Sequence, residues 1–196
     1  MKGCRPFTEL EATRVEQAIG GRYAARDRAL FVLGLHTGFR IAELLSLEVG
    51  AVWNGEAVLE RVHVSRRHMK KRTEGRTVPL HERARTALGA WLSDFQARKP
   101  VLQASDPLFP GFAGADKPMS RVAGWRVLKR AYRRAGLDGP GLASHSMRKT
   151  FAARVYEAVA HDLVKTQRAM GHRNINSTVQ YIGFLDADID RAILAA

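Results

Sequence analysis

The sequence predicts a mainly α-helical domain with a small antiparallel β-sheet, an α+β fold. Apolar residues recur at helical spacing over most of the 196 residues, whereas a single stretch, Ala57 to Pro79, alternates apolar and polar residues. No apolar run approaches the roughly 18–20 residues of a membrane span. A chain of this length can bury one sizeable core, and no internal repeat or domain boundary stands out.

The first predicted helices frame one arginine. Thr8 and Glu11 have capping-box spacing, which predicts that a helix begins after Thr8. Residues 25–36 are strongly apolar and predict a buried helix that Gly38 ends. Arg40 begins the next short helix, so we expect it in a tight connection held by buried elements on both sides.

The middle of the chain predicts a β-hairpin followed by a helix. Alternation within residues 57–79 favours two antiparallel strands, with Gly75 near the turn. The spacing of apolar residues predicts a helix over 81–97. Residues 100–119 are rich in Pro, Gly and Ala, and we expect them to be mostly loop.

The last third predicts further helices. One is expected at about 119–135 and another from Ser144, after a Gly- and Pro-rich break. Shorter helices follow at about 161–170, 174–182 and 186–195. In the helix from Ser144, four apolar residues recur every fourth position and are expected to face the core: Met147, Phe151, Val155 and Val159.

The charge balance favours a polyanionic partner. The chain has 32 Lys and Arg against 19 Asp and Glu, a net charge of +13. Such an excess is typical of nucleic-acid-binding proteins. Cys4 is the single cysteine, which excludes an intrachain disulfide and a cysteine-based zinc site. The first residues lack the apolar stretch of a signal peptide, so we expect a cytoplasmic protein.

Two segments concentrate this basic charge. Residues 61–76 carry seven Lys and Arg against one acid, Glu74, and residues 121–134 carry six basic residues and no acid. Each could be an ordinary solvated surface, but this density favours contacts with a nucleic-acid backbone, with steep salt dependence. The candidate DNA-binding residues are Arg66, Arg67, Lys70 and Arg72 in the first segment, and Arg126, Arg130, Arg133 and Arg134 in the second.

Five residues elsewhere could handle a phosphodiester: Arg40, His145, Arg148, His172 and Tyr181. Cleavage by a protein nucleophile requires an attacking group in line, partners for the non-bridging oxygens and a proton for the leaving oxygen. Arginine can meet two phosphate oxygens at once, and a phenol can attack phosphorus. Taken singly, these residues could be a surface histidine, a salt-bridged arginine and a core tyrosine, so only the combination indicates chemistry.

The order and spacing of these residues resemble the tyrosine recombinases, the phage integrase family. The similar segments are Thr37–Leu44, His145–Ala152 and Met170–Asn174, with Tyr181 nine positions after His172. The resemblance covers about residues 5–190. It departs at Met147, where leucine is more usual, and at Ala160, where a helix-ending glycine is common. It implies one catalytic domain over residues 5–196, and nothing corresponds to the N-terminal core-binding domain of most members. Either the sequence is a fragment or it belongs with the short single-domain members of the family.

The resemblance also implies roles. Tyr181 would attack the phosphate and form a 3′-phosphotyrosine bond, while Arg40 and Arg148 hold the non-bridging oxygens. His172 would add a hydrogen bond, and His145 would assist proton transfer. The remaining roles fall to Lys71, which would protonate the leaving 5′-oxygen (Lys70 is the alternative), and to Glu43, which would support Arg40.

The family resemblance implies no metal and no cofactor, because the phosphotyrosine stores the bond energy for rejoining. It implies double-stranded DNA as the partner. We expect a homotetramer on DNA when the protein is active and a monomer when it is free. The expected location is the cytoplasm, in association with the nucleoid. Three other interpretations stay open: a type IB topoisomerase-like relaxing enzyme, a non-catalytic DNA-binding or regulatory protein that keeps the fold, and a generic basic RNA-binding protein.

Overall fold

Helices make up most of the structure. It is a computed structural model that describes residues 4–64, 75–112, 114–182 and 194. Of residues 115 and 180–182 it describes only the backbone. The helices are α1 (Glu9–Ala18), α2 (Ala24–Thr37), α3 (Ile41–Leu45), α4 (Glu82–Arg98), α5 (Arg121–Arg134), α6 (Ser144–Ala158), α7 (Leu163–Met170) and α8 (Ile175–Ile182). The strands are β1 (Arg61–Val64), β2 (Arg76–Pro79), β3 (Pro110–Gly111) and β4 (Gly114–Pro118). This architecture confirms the fold class predicted from the sequence. The helix expected at 186–195 lies outside the described residues, except for residue 194.

Helix α2 is the centre of the core. Its residues 29–33 are all at most 1% exposed, as expected for a helix that is apolar on every side. It packs against α4 and α6. Gly38 ends it in the left-handed conformation, with φ of 61°, and donates its N–H to Gly34 O at 3.2 Å. The predicted helix and its terminating glycine are both confirmed.

The N-terminal segment is fixed by its own cap and by α6. Thr8 Oγ1 accepts a hydrogen bond from Glu11 N at 3.2 Å, and the Glu11 carboxylate accepts one from Thr8 N at 3.0 Å, as the capping-box spacing predicts. Phe7 N donates to Thr150 Oγ1 on α6 at 2.8 Å. The first helix therefore starts where α6 can hold it.

Strands β1 and β2 pair antiparallel, with Val62 opposite Val78. Alternate residues are buried on both strands, which confirms the predicted hairpin arms. Residues 65–74, between the arms, lie outside the described part.

Residues 100–119 are mostly loop, as expected, but β3 and β4 form a second short antiparallel pair within them. Leu108 and Phe109 are fully buried just before β3, and Met119 N donates to Phe109 O at 2.8 Å. Tertiary burial thus holds a hairpin in a segment whose Pro and Gly content predicts loop.

The buried face of α6 also differs from the prediction. Met147 is buried, but Phe151, Val155 and Val159 are only half-buried. The fully buried residues are Ser146, Met147, Arg148, Thr150 and Ala152. Because α6 packs against α2, α7 and α8, it buries polar side chains with partners, for example Thr150 Oγ1, which donates to Ser146 O at 2.9 Å. In the described residues, no helix is long and apolar enough to cross a membrane.

Helix α6 ends in a Schellman motif that has alanine where glycine is usual. His161 N donates to Tyr156 O at 2.8 Å and Ala160 N donates to Glu157 O at 3.1 Å. Ala160 has φ of 52° and His161 has φ of 64°. A side chain with a Cβ is strained in this left-handed region.

We predict that Ala160→Gly raises the free energy of unfolding by about 0.5–1 kcal/mol, because relief of left-handed strain exceeds the entropy cost of glycine. Urea denaturation monitored by circular dichroism measures the change. The matched control is Ala158→Gly, in the last turn of α6, which should destabilise the protein. Destabilisation by both substitutions would contradict the strain at residue 160.

Candidate active site

Three chain segments converge at one place: the α2–α3 connection, the first turn of α6 and the α7–α8 connection. Arg148 on α6 joins them. Its Nη1 donates to Gly38 O, and its Nη2 donates to Met170 O at 3.0 Å. Gly38 must be glycine here, since a Cβ at this position would collide with the Phe151 ring. Arg148 thereby links the ends of α2 and α7.

Arg148 is only 1% exposed, so its charge requires close partners. The partners described are carbonyl oxygens at the C-terminal ends of two helices, which carry partial negative charge, and the His172 ring. Arg148 Nη2 lies 2.7 Å from His172 Nε2. Because a guanidinium can only donate, Nε2 accepts in this arrangement.

His172 is set in place by the turn after α7. Gly171 has φ of 60°, and a Schellman motif forms there, in which His172 N donates to Gln167 O at 3.0 Å. The His172 ring is buried, and its Nδ1 lies 2.9 Å from Thr178 Oγ1 on α8. With Nε2 accepting from Arg148, Nδ1 carries the proton and donates it to Thr178.

Arg40 is held by Glu43. Arg40 precedes α3, and its backbone N–H donates to Glu43 Oε2 at 2.8 Å while its Nη1 donates to Oε1 at 3.0 Å. Glu43 is buried, whereas the Arg40 side chain remains 40% exposed. One buried carboxylate therefore orients a guanidinium that is still accessible from solvent.

His145 lies in the first turn of α6 and keeps an exposed edge. Partial removal of its ring from solvent lowers its pKa, and the positive charges of Arg148, Arg40 and Lys149 lower it further. Arg40 and Arg148 are thus both close enough to act on the same imidazole. A neutral ring at neutral pH can accept a proton.

The predicted nucleophile is located only by its backbone. Tyr181 belongs to α8, which the Asn174 side chain caps by accepting from Asn176 N at 2.9 Å. Helix α8 packs against α6 and α7. Tyr181 comes three residues after Thr178, a neighbouring position on the helix surface, but its side chain is not described. The nucleophile assignment stays a prediction.

The other predicted residues divide into two groups. Lys71, its alternative Lys70, and the candidate DNA contacts Arg66, Arg67 and Arg72 all lie outside the described residues. The four arginines predicted on one side of α5 are exposed: Arg126, Arg130, Arg133 and Arg134. Two of the four also make contacts within the chain. Arg133 Nε donates to Asp138 Oδ1 at 3.3 Å, and Arg134 Nη1 donates to Gly20 O at 2.9 Å.

Sequence reasoning missed two residues of this region. Thr178 is fully buried against His172, and Arg76, counted from the sequence with the basic stretch, is only 8% exposed. The alternation of β2 contained the signal for Arg76, because it lies two residues before the buried Val78 on the same face of the strand. Within the described residues, no group of three or more His, Cys, Asp or Glu could hold a metal ion.

Residues 8–187 match the phage integrase family. This chain belongs to that family. Tyrosine recombinase XerD of Pseudomonas putida is 33% identical over 172 residues, which cover 88% of this chain and 53% of that protein. The chain therefore spans about half the length of the XerD and XerC recombinases it matches.

Two solved structures share the fold of this family domain. XerA recombinase superposes with a TM-score of 0.76 at 22% identity, covering all of this chain and 64% of that one. XerH site-specific recombinase bound to difH substrate gives a TM-score of 0.73 at 22% identity, covering 98% of this chain and 55% of that one. The fold expected from the resemblance is confirmed.

We predict that His145 titrates below the ordinary histidine pKa of about 6.5. The pKa of the His145 ring is therefore lower in the folded protein than in the unfolded chain. Its full contribution to the free energy of unfolding is present above about pH 6.5 and is lost as the pH falls through the pKa of the folded state. NMR titration of the histidine ring signals measures this pKa. Lys149→Gln should raise it by removing one neighbouring charge, whereas Lys165→Gln, which removes a lysine paired with Asp162, should leave it unchanged. A His145 pKa at or above 6.5 would contradict the site's electrostatics.

Proposed function

We propose that this chain is the catalytic domain of a site-specific DNA recombinase, which cleaves and rejoins DNA strands through a 3′-phosphotyrosine intermediate. The convergence of Arg40, His145, Arg148 and His172 from three chain segments carries this proposal. Family membership supports it, as does the shared fold with XerH, a site-specific recombinase whose structure was solved bound to its difH substrate.

The two arginines would bind the scissile phosphate. Arg40 offers an accessible guanidinium already oriented by Glu43, and Arg148 contributes a buried positive charge. Preorganised cations in a site of low dielectric stabilise the charge that develops in the transition state without reorganising during the reaction. The phosphate oxygens take the place that His172 Nε2 occupies at Arg148 Nη2.

His172 would then change from acceptor to donor. The Thr178 hydroxyl can donate as well as accept, so it can supply a hydrogen bond to Nδ1 when the proton moves to Nε2. In that tautomer Nε2–H points its hydrogen bond at the phosphate rather than at Arg148. Thr178 thus supports both the free and the DNA-bound states of the ring.

Two proton transfers would accompany cleavage, one from Tyr181 to His145 and one from a lysine to the 5′-oxygen of the DNA. A tyrosine phenol in water has a pKa near 10, so attack by Tyr181 requires a proton acceptor, and the neutral His145 ring would supply one. The phenolic oxygen bonds to phosphorus as the bond to the 5′-oxygen breaks. Lys71, or Lys70, donates a proton to the departing 5′-oxygen. The reverse sequence, with an attacking 5′-hydroxyl, releases Tyr181 and rejoins the strand.

Double-stranded DNA is the proposed partner. The net charge of +13 and the exposed arginines of α5 support it. We place the active form in a homotetramer on two duplexes, with a monomer when free, and we place the protein with the nucleoid in the cytoplasm. Residues 5–196 act in this proposal as a single catalytic domain.

Tyr181→Phe should abolish the covalent protein–DNA adduct on nicked suicide duplexes while leaving DNA binding unchanged, because it removes only the attacking oxygen. Denaturing gel electrophoresis detects the adduct. Tyr156→Phe is the matched control, since this half-buried tyrosine packs beside His161 at the far end of α6, and it should retain the adduct. An undiminished adduct with Tyr181→Phe would overturn the nucleophile assignment.

Arg40→Ala should slow adduct formation about 10²–10³-fold, equivalent to about 3–4 kcal/mol of lost transition-state stabilisation. DNA affinity should change little, because only one phosphate contact is lost. Single-turnover cleavage and filter binding separate the two effects.

The control for Arg40→Ala is Arg126→Ala, on the exposed side of α5. It should reduce the salt slope of binding by about 1 and leave cleavage of bound DNA intact. Equal losses of binding and cleavage with Arg40→Ala would instead support a non-catalytic DNA-binding protein.

A further inference from the structure

Arg76 is a buried arginine next to the candidate site with no role assigned so far. It lies at the start of β2, and its Nη2 donates to Thr37 O at 3.1 Å and to Ala169 O. Its guanidinium carbon lies 5.1 Å from the centroid of the Phe39 ring. Strand β2 is thereby joined to the ends of α2 and α7.

The contacts of Arg76 repeat those of Arg148 one residue earlier along each helix end. Arg148 donates to Gly38 O and Met170 O, whereas Arg76 donates to Thr37 O and Ala169 O. Two guanidiniums thus bind two consecutive carbonyls at each of two helix C-termini.

This duplication sets the geometry of the site. Both helix ends carry partial negative charge, so they repel each other unless cations lie between them. Arg148 alone would have to fix their separation and also meet a phosphate. With Arg76 on the adjacent carbonyls, the acceptors of Arg148 would keep their positions when a phosphate binds. The turn at Gly171 that places His172 is held by the same contact.

We propose that Arg76 is a positioning residue for the Arg148–His172 pair. The inference rests on the proposed function for its catalytic consequence, but its structural consequence is independent of activity. Arg76 does not touch the phosphate. It acts through the carbonyls of Thr37 and Ala169, which fix where Arg148 and His172 lie.

The first variant is Arg76→Met, which keeps side-chain length and removes the donors. Arg76→Lys is the second, since its ammonium keeps the charge but lacks the rigid planar guanidinium whose Nη2 donates to both carbonyls. The matched control is Arg26→Met. Arg26 is also fully buried, donates to Pro110 O at 2.8 Å and lies 4.4 Å from the Tyr23 ring centroid. It is in the first turn of α2, roughly 16 Å along the helix axis from Thr37.

The first measurement is the long-range ¹H–¹⁵N NMR spectrum of the histidine rings, without DNA. We expect the Nδ1 and Nε2 signals of His172 to shift in Arg76→Met and, by less, in Arg76→Lys. In Arg26→Met they should match the unsubstituted protein. Unchanged His172 signals in both Arg76 variants, or equal shifts in Arg26→Met, would overturn the proposal.

The second measurement is single-turnover adduct formation on nicked suicide DNA, below the melting temperature of every variant. Arg76→Met should slow it about 10- to 100-fold, as misplacement of catalytic groups by about 1 Å does, and Arg76→Lys should lie between Arg76→Met and the unsubstituted protein. DNA affinity should be unchanged, and Arg26→Met should cleave at the normal rate. A loss of melting temperature in Arg76→Met with a normal cleavage rate would show that Arg76 is merely structural. If the unsubstituted protein forms no adduct, the proposed function fails, and the NMR spectra still decide the role of Arg76.

Discussion

The burial of the Arg148 guanidinium between the C-terminal ends of α2 and α7 is the constraint on which the rest of this domain depends. A buried charge destabilises a fold unless good hydrogen bonds compensate for its lost hydration. Here the compensation comes from Gly38 O, Met170 O and His172. Both helices must therefore stop where their last carbonyls can reach one side chain on α6. The left-handed residues Gly38 and Gly171 are the local consequence of that requirement.

Because its partners are carbonyl groups, Arg148 also keeps a positive charge that can attract an anion. A carboxylate would hold Arg148 by cancelling its positive charge, whereas helix-end carbonyls contribute only partial negative charges. Glu43, a buried carboxylate in this region, instead holds Arg40, whose side chain is 40% exposed and keeps solvent access. Partial removal of the His145 ring from solvent lowers its pKa, and the resulting positive potential lowers it further, so the same arrangement favours both an anionic ligand and a neutral base.

Local signals in the sequence predicted most of the helices but little of the site's geometry. The Thr8 cap and the apolar run of α2 are encoded within a few residues, so they could be recognised without a fold. The proximity of Arg148 and His172 depends on how α6 and α7 pack, and only the family resemblance anticipated it. The burial of Arg76 was not predicted, because a count of charged residues does not show on which face of a strand each of them lies. The β3–β4 pair was missed because burial of Leu108 and Phe109, not composition, creates it.

The hydrogen bonds among the described residues explain how such a site is stable without a bound phosphate. Arg148 Nη2 and His172 Nε2 satisfy each other at 2.7 Å, and Thr178 satisfies Nδ1. If the Arg148 guanidinium and the His172 ring were buried side by side without these hydrogen bonds, the fold would lose several kcal/mol of stability. In the proposed function, a phosphate would replace one acceptor of Arg148 with a stronger, fully charged one. It would also free His172 Nε2 to donate, with the Thr178 hydroxyl then donating to Nδ1. The contact between Arg148 and His172 that stabilises the unbound domain is thus the one that the proposed phosphate ligand would exchange for its own. The second arginine, Arg76, would keep the two helix ends from moving during that exchange.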